Sequence, residues 1–176
     1  MQIRFATEAD KDALITLALE NQSEIAHGNI DVNPQRVEEA LRGMFTLNQG
    51  THVLFVAETA GGELAGGLLG CVQRYYYSHE LQAQLIQWFL RGRYRGTSIA
   101  PRLVKAFVEW AKSRGASEVF MGITSGIAVE QTDQMMRRMG FTHLGGNYAV
   151  NLKAQRQRAT TASGQDALKK DMPDEH

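Results

Sequence analysis

Five apolar residues, Ile99, Leu103, Phe107, Trp110 and Ala111, recur at helical spacing directly behind a turn rich in arginine and glycine. A stripe of this kind must be covered by a sheet or another helix, so the segment predicts an amphipathic helix. Arg114 and Gly115 close it with a last-turn cation and a residue that accepts positive φ. The stretch RGRYRGTSIAPRLVKAF, Arg91 to Phe107, carries four arginines. Such a segment can grip nucleic acid, lie on a membrane or cradle a small anion. Nineteen Lys and Arg balance nineteen Asp and Glu, whereas a module living on phosphate backbones shows a basic excess across the domain. No apolar run approaches the ~20 residues that span a bilayer, and MQIRFATEADKD lacks a hydrophobic signal core. The expected compartment is the cytoplasm, with no nucleic acid and no membrane as partner.

At 176 residues and 43% hydrophobic, the chain fits one core. Ile3 and Phe5 alternate with polar neighbours as in a half-buried strand, and Thr7 with Asp10 resembles a capping box before a helix bearing Leu14, Leu17 and Ala18. Asn33 and Pro34 start a second helix over Val37, Leu41, Met44 and Phe45. HVLFVAET and ELAGGLLGCVQRYYY predict an antiparallel hairpin around Gly61 and Gly62, with the lone cysteine, Cys71, as a buried strand residue. LQAQLIQWFL leans to strand through Ile86, Trp88 and Phe89. EVFMGIT predicts a strand, VEQTDQMMRRM a helix stopped by Gly140, and FTHLGGNYAVNL a bent strand or hairpin. The folded domain is expected over residues 1–152, and 153–176, poor in apolar residues, as a flexible tail.

The order strand, arginine and glycine turn, helix suits a phosphate. A helix's first turn leaves N–H groups unpaired, carrying a partial charge of roughly +0.5. Gly96 permits close backbone approach, Thr97 and Ser98 add hydroxyls, and Arg91, Arg93 and Arg95 are expected to surround the anion with positive charge. Pro101, which lacks an N–H, belongs in a first turn, placing the helix start near Ser98. The Walker lysine and GxGxxG are both missing, and the five histidines show no metal-ligand spacing, so no metal is expected.

Residues Arg95 to Ala100, RGTSIA, resemble the (Q/R)xxGx(G/A) acyl-coenzyme A signature of the GNAT family of N-acetyltransferases, with Ser98 in place of the middle glycine. The order of elements over residues 2 to 152 is also similar to that family. The resemblance implies a mixed α/β (α+β) GNAT-like fold: a central, mostly antiparallel twisted sheet, splayed between the fourth and fifth strands and flanked by about four helices. It implies acetyl-coenzyme A (acetyl-CoA) as cofactor, with Trp88, Phe89 and Leu90 along the pantetheine arm. The amides of Gly96, Thr97, Ser98, Ile99 and Ala100 would hold the pyrophosphate, with Arg95 beside it. Strand neighbours face opposite sides, so one of Trp88 and Phe89 is expected in the core.

The resemblance implies acetyl transfer to a primary amine by direct attack, with a fourth-strand N–H near Leu90 polarising the carbonyl. Family members often carry a carboxylate base on that strand. Here it offers Gln82, Gln84 and Gln87, and the nearest titratable candidates are His79 and Glu80. The family's tyrosine acid and helix asparagine are replaced by Met136 and Val129, leaving Tyr148 or one of Tyr75, Tyr76 and Tyr77 as acid. The rival reading is a noncatalytic protein of the same fold that binds coenzyme A or a protein partner. The acceptor is a small-molecule or peptide amine whose entrance is expected at YYYSHE and at residues 24–31, and a homodimer is left open as an assembly.

Overall fold

In β2 (His52–Glu58), Val53, Phe55 and Ala57 face one way and Leu54 and Val56 the other, and both sets are covered. A strand buried on both faces forces layers above and below it. The computed structural model describes residues 1–25, 32–46, 50–148 and 152, and shows both layers. The chain runs β1 (Gln2–Phe5), α1 (Lys11–Glu24), α2 (Pro34–Thr46), β2, β3 (Leu64–Arg74), β4 (Leu81–Leu90), α3 (Ile99–Ser113), β5 (Ala116–Phe120) and α4 (Val129–Arg138). By internal contacts it divides into Met1–Leu144 and Gly145–His176.

The sheet order is β1-β2-β3-β4-β5, antiparallel at the first three pairings and parallel between β4 and β5. Leu14, Leu17 and Leu41 of α1 and α2 pack with Val56, Leu64 and Phe89 on one face. On the other, α3 buries Ile99, Leu103, Val104, Phe107, Trp110 and Ala111 against Val53, Phe55, Leu68 and Ala83, joined by Met136 of α4. The stripe of α3 is thus the core of that layer. Gly70 permits it: a Cβ there would lie 2.3 Å from the Phe107 ring.

Local signals act where the spacing places them. Asn33 Oδ1 accepts from the amides of Gln35 and Arg36, capping α2 at 2.9 and 3.2 Å. Asp10 accepts the Thr7 amide at 2.8 Å and both arms of Arg4, and a second carboxylate, Glu58, receives Arg4 Nε at 2.6 Å. The β2–β3 turn uses Gly62 at φ +80. Gly140, at φ +89, ends α4, with its own amide bonded to Arg137 O and that of Phe141 to Met136 O, both at 3.0 Å.

Three expectations need correction. The strand expected over EVFMGIT begins earlier and ends at Phe120. The strand or hairpin expected over 141–152 is not formed by residues 141–148. Gly145 and Gly146 weaken pairing there, and Leu144 and Tyr148 are exposed, so no buried face rewards an extended backbone. Residues 149–151 and 153–176 lie outside the described residues, as does the expected tail. Cys71 is half-buried, and burial pushes its thiol pKa up, away from nucleophilic use. No helix among the described residues is long and apolar enough to cross a membrane.

Gly70→Ala is expected to cost about 1–3 kcal/mol, as overpacking does, read as a fall in Tm of about 2–4 °C per kcal/mol. Adding Phe107→Leu should recover part of that loss. The hydrogen bond from Arg4 holds the Asp10 carboxyl below its ordinary 3.8, to about 2. Its stabilisation is therefore full above pH ~4 and lost as pH falls toward ~2, about 1–2 kcal/mol after allowance for solvent screening. Urea melts from pH 5 to 2 should show that loss in the native chain and a smaller one in Asp10→Asn.

Candidate active site

β4 pairs with β5 only from Leu81 to Gln84. Two residues later the β3 register shifts from Leu69↔Gln87 to Gly70↔Leu85, so Ile86 has no partner and forms a bulge. A bulge bends its strand and increases the local twist. β4 turns away from β5, and a cavity of about 730 Å³ opens between Leu85–Leu90 and the segment 122–128, reaching Arg95, Gly96, Thr97 and α4. The amide of Arg91 donates to Ala65 O at 3.0 Å. Hydrogen-bonded positions alternate along an antiparallel pair, so Arg91, Phe89 and Gln87 point their backbone groups at β3 while Leu90 and Trp88 present theirs to the cleft.

The signature turn lies at one end of this cleft. Gly96 sits at φ +73, and a Cβ there would meet nothing within 4 Å. The amides of Gly96, Thr97, Ser98 and Ala100 donate to no protein atom among the described residues, and that of Ile99 makes only a 3.4 Å contact with Thr97 Oγ1. Thr97 Oγ1 itself donates to Tyr94 O at 2.7 Å. Ser98 precedes the first residue of α3. The indole N–H of Trp88, a residue lining the cleft, is buried without a partner among the described residues. Free amides at a helix start and a buried N–H without an acceptor suit a ligand bearing a diphosphate and carbonyl groups.

The arginines do not surround the anion as expected. Arg91 binds Glu20 at 2.7 Å, Glu63 at 2.5 Å and Leu64 O at 2.8 Å; Arg93 binds Glu63, and Arg95 binds Glu24. The hydrogen bond from the Tyr94 hydroxyl, with Arg93 and Arg91 close by, holds the Glu63 carboxyl below the usual range. The cluster is therefore a clamp onto α1 and the β2–β3 turn. Arg95 alone of the three lines the cleft, with Nε on Leu90 O at 2.8 Å and its guanidinium over the Phe89 ring. Phe89 packs toward α1 and α2, and Leu90 toward α3.

The titratable candidates are not assembled. His79 and Glu80 lie before the paired start of β4, where Glu80 accepts from Ser117 Oγ at 2.9 Å and His79 O from Arg74. Five residue steps along the strand, about 17 Å, separate Glu80 from Leu85, and neither His79 nor Glu80 lines the cleft. The Tyr75 hydroxyl donates to Glu118, which pushes its pKa up to about 12, while Tyr76 and Tyr77 are exposed and do not line the cleft. Tyr148 belongs to the second unit and is exposed. Of the expected entrance, residues 26–31 lie outside the described residues. Among those described, the only charged side chains lining the cleft are Arg95 and Arg138, and no cluster of His, Cys, Asp or Glu could hold a metal ion. Asn21 and Arg138 were passed over in the sequence; a buried asparagine and a cation on a helix carry no local signal of a cleft.

A cleft between diverging β4 and β5 with free amides at the following helix has a counterpart in a known family. The model of the acetyltransferase (GNAT) family matches residues 15–141. The chain belongs to the GNAT family. Comparison with curated protein sequences finds no match. Among solved structures, glucosamine-6-phosphate N-acetyltransferase from Arabidopsis thaliana superposes with a TM-score of 0.68 at 16% identity, over 86% of this chain and 97% of that one. A predicted acetyltransferase with acetyl-CoA from Clostridium acetobutylicum gives 0.67 at 15%, over 87% and 97%. Ribosomal-protein-alanine N-acetyltransferase from Brucella melitensis biovar Abortus 2308 gives 0.62 at 13%, over 86% and 100%. At such identities the likeness shows the GNAT fold and leaves the acceptor open. As a GNAT member the protein is an acetyltransferase. Met136, where many GNAT enzymes have tyrosine, lines the cleft from the core, and its thioether has no proton to supply.

Proposed function

We propose that the protein transfers an acetyl group from acetyl-CoA to a primary amine, by direct attack of an amine that arrives already deprotonated. The observation that carries this reading is the set of amides of Gly96, Thr97, Ser98 and Ala100, free among the described residues, at the end of a cleft held open by the Ile86 bulge. Those amides would bind the diphosphate, with Arg95 beside it, and the exposed edge of β4 would pair with the pantetheine amides. When bound, acetyl-CoA supplies an activated acyl carbon and a thiol leaving group. The N–H of Leu90 or Trp88, turned to the cleft, polarises the acyl oxygen. Gln87, exposed on β4, is placed to orient the amine or a water but accepts no proton near neutral pH. The amine nitrogen bonds to the acyl carbon as the carbon–sulfur bond breaks, and the proton shed by nitrogen passes to sulfur through solvent. The enzyme contributes position and polarisation.

The same lack of an acid and a base favours one rival, a noncatalytic protein that binds coenzyme A. The two readings part on thiol release, which only the enzyme produces in the presence of an amine panel. For the enzyme, log kcat/KM should rise with unit slope up to the amine's own pKa, with no bend from an enzyme group between about pH 5.5 and 8. A bend near pH 6–7 that stays in place when the amine is changed would overturn direct attack without a base. Gly96→Val forces a branched side chain into positive φ and puts methyls over the free amides. The expected result is loss of the thermal shift produced by coenzyme A, about 2.7 kcal/mol at 100 times Kd in the native chain, with a cooperative melt retained. An unchanged shift would remove the cradle.

A further inference from the structure

Beneath α1 and α2 lies a second cavity, of about 320 Å³, which shares two lining residues, Gln87 and Phe89, with the cleft. Leu14, Leu17, Val37, Leu41, Met44 and Leu54 form its walls. Its volume is at the small end of the ~300–1,000 Å³ usual for ligand pockets, enough for one ring or a short branched chain. A molecule seated there with its amine at Gln87 has its nitrogen at the open edge of β4.

Among the described residues, the charged side chains that line the two cavities have one sign. Arg36 of α2, Arg95 of the signature turn and Arg138 of α4 are the charged side chains in the linings. The carboxylates of Glu39 and Glu24 pair with the first two from outside them. From α1 come Asn21 and Gln22, from β4 Gln87, and from 122–128 no ionisable group. An ammonium entering this space meets apolar walls and, among the described residues, no lining carboxylate to replace its hydration. No described lining residue can deprotonate it either. An amine with the α-amino pKa of about 7.8 is about 300 times richer in the neutral form at pH 7 than one with the lysine value of about 10.4.

We propose that the acceptor is a primary amine of low basicity, with a sizeable neutral fraction near pH 7, carried on an apolar body that fills the cavity under α1 and α2. This rests on the acetyltransferase reading above and specifies its substrate class. A polyamine, an aminoglycoside or a lysine side chain is a poor acceptor for this site. The chemistry balances without a further reactant: a nitrogen–carbon bond replaces a carbon–sulfur bond, sulfur keeps the electron pair, and the nitrogen's proton ends on the thiol.

The test uses the full chain with acetyl-CoA and four amines: phenylalaninamide (weakly basic, apolar), 2-phenylethylamine (strongly basic, apolar), glycinamide (weakly basic, without the apolar group) and spermidine. Thiol release gives kcat/KM from pH 6 to 9, and calorimetry gives the affinity of each amine for the coenzyme A-loaded protein. The proposal expects phenylalaninamide to exceed glycinamide at least tenfold in both readouts. It should exceed 2-phenylethylamine about 100-fold in kcat/KM at pH 7, a gap that narrows toward pH 9. Val37→Trp should reduce the phenylalaninamide preference over glycinamide about tenfold, with the coenzyme A thermal shift reporting that the variant is folded. Preference for spermidine, equal use of glycinamide, or selectivity for longer acyl donors in place of apolar amines would each overturn it. Turnover without apolar preference leaves the acetyltransferase reading standing and sinks this one. Apolar-selective binding without any thiol release supports the cavity's ligand class and removes the catalytic reading.

Discussion

The architecture turns on one failure of pairing. β4 and β5 are hydrogen-bonded only as far as Gln84 and Phe120, and the extra residue at Ile86 bends β4 before the sheet can close. Edges left open in a sheet usually invite aggregation. This one lies inside a cleft, walled by α4 and the segment 122–128. What would be a liability at the rim becomes a row of backbone groups ready for an extended ligand. The free amides of the signature turn gain their meaning from that opening, because a helix start alone offers no enclosed site.

Around the opening, charge is spent on holding elements together. Glu20 and Glu24 from α1 and Glu63 from the β2–β3 turn converge on Arg91, Arg93 and Arg95. These pairs are partly exposed, and each contributes modestly. Their joint effect is geometric: they fix the turn that carries the amides to α1, a helix that lines the second cavity. Gly70 under the Phe107 ring does the corresponding task on the other face, letting α3 lie close to β3.

Much of this was legible because it is periodic or local. The stripe from Ile99 to Ala111, the Asn33–Pro34 start, the hairpin around Gly62 and the Gly140 stop are each decided within a few residues, and the structure follows them. The roles of the arginines were not legible, since Glu20 lies 71 residues from Arg91 and no local pattern pairs them. The bulge was equally hidden, because LQAQLIQWFL reads as an unbroken strand. A bent strand or tight hairpin was also expected over 141–152, but two adjacent glycines and exposed Leu144 and Tyr148 leave residues 141–148 with no reason to pair. The acid and base expected near β4 were sought by proximity in sequence. The fold puts His79 and Glu80 at the wrong end of the strand.

Arg95 joins two parts of the molecule: it lines the cleft, and it holds Glu24 in the last turn of α1. One guanidinium cannot give its full set of hydrogen bonds to a carboxylate and an incoming diphosphate at once. An anion that recruits Arg95 loosens its grip on Glu24, and a displaced Glu24 weakens the hold on the end of α1. A ligand at the signature turn would in this way be felt along α1, a helix that also lines the other cavity.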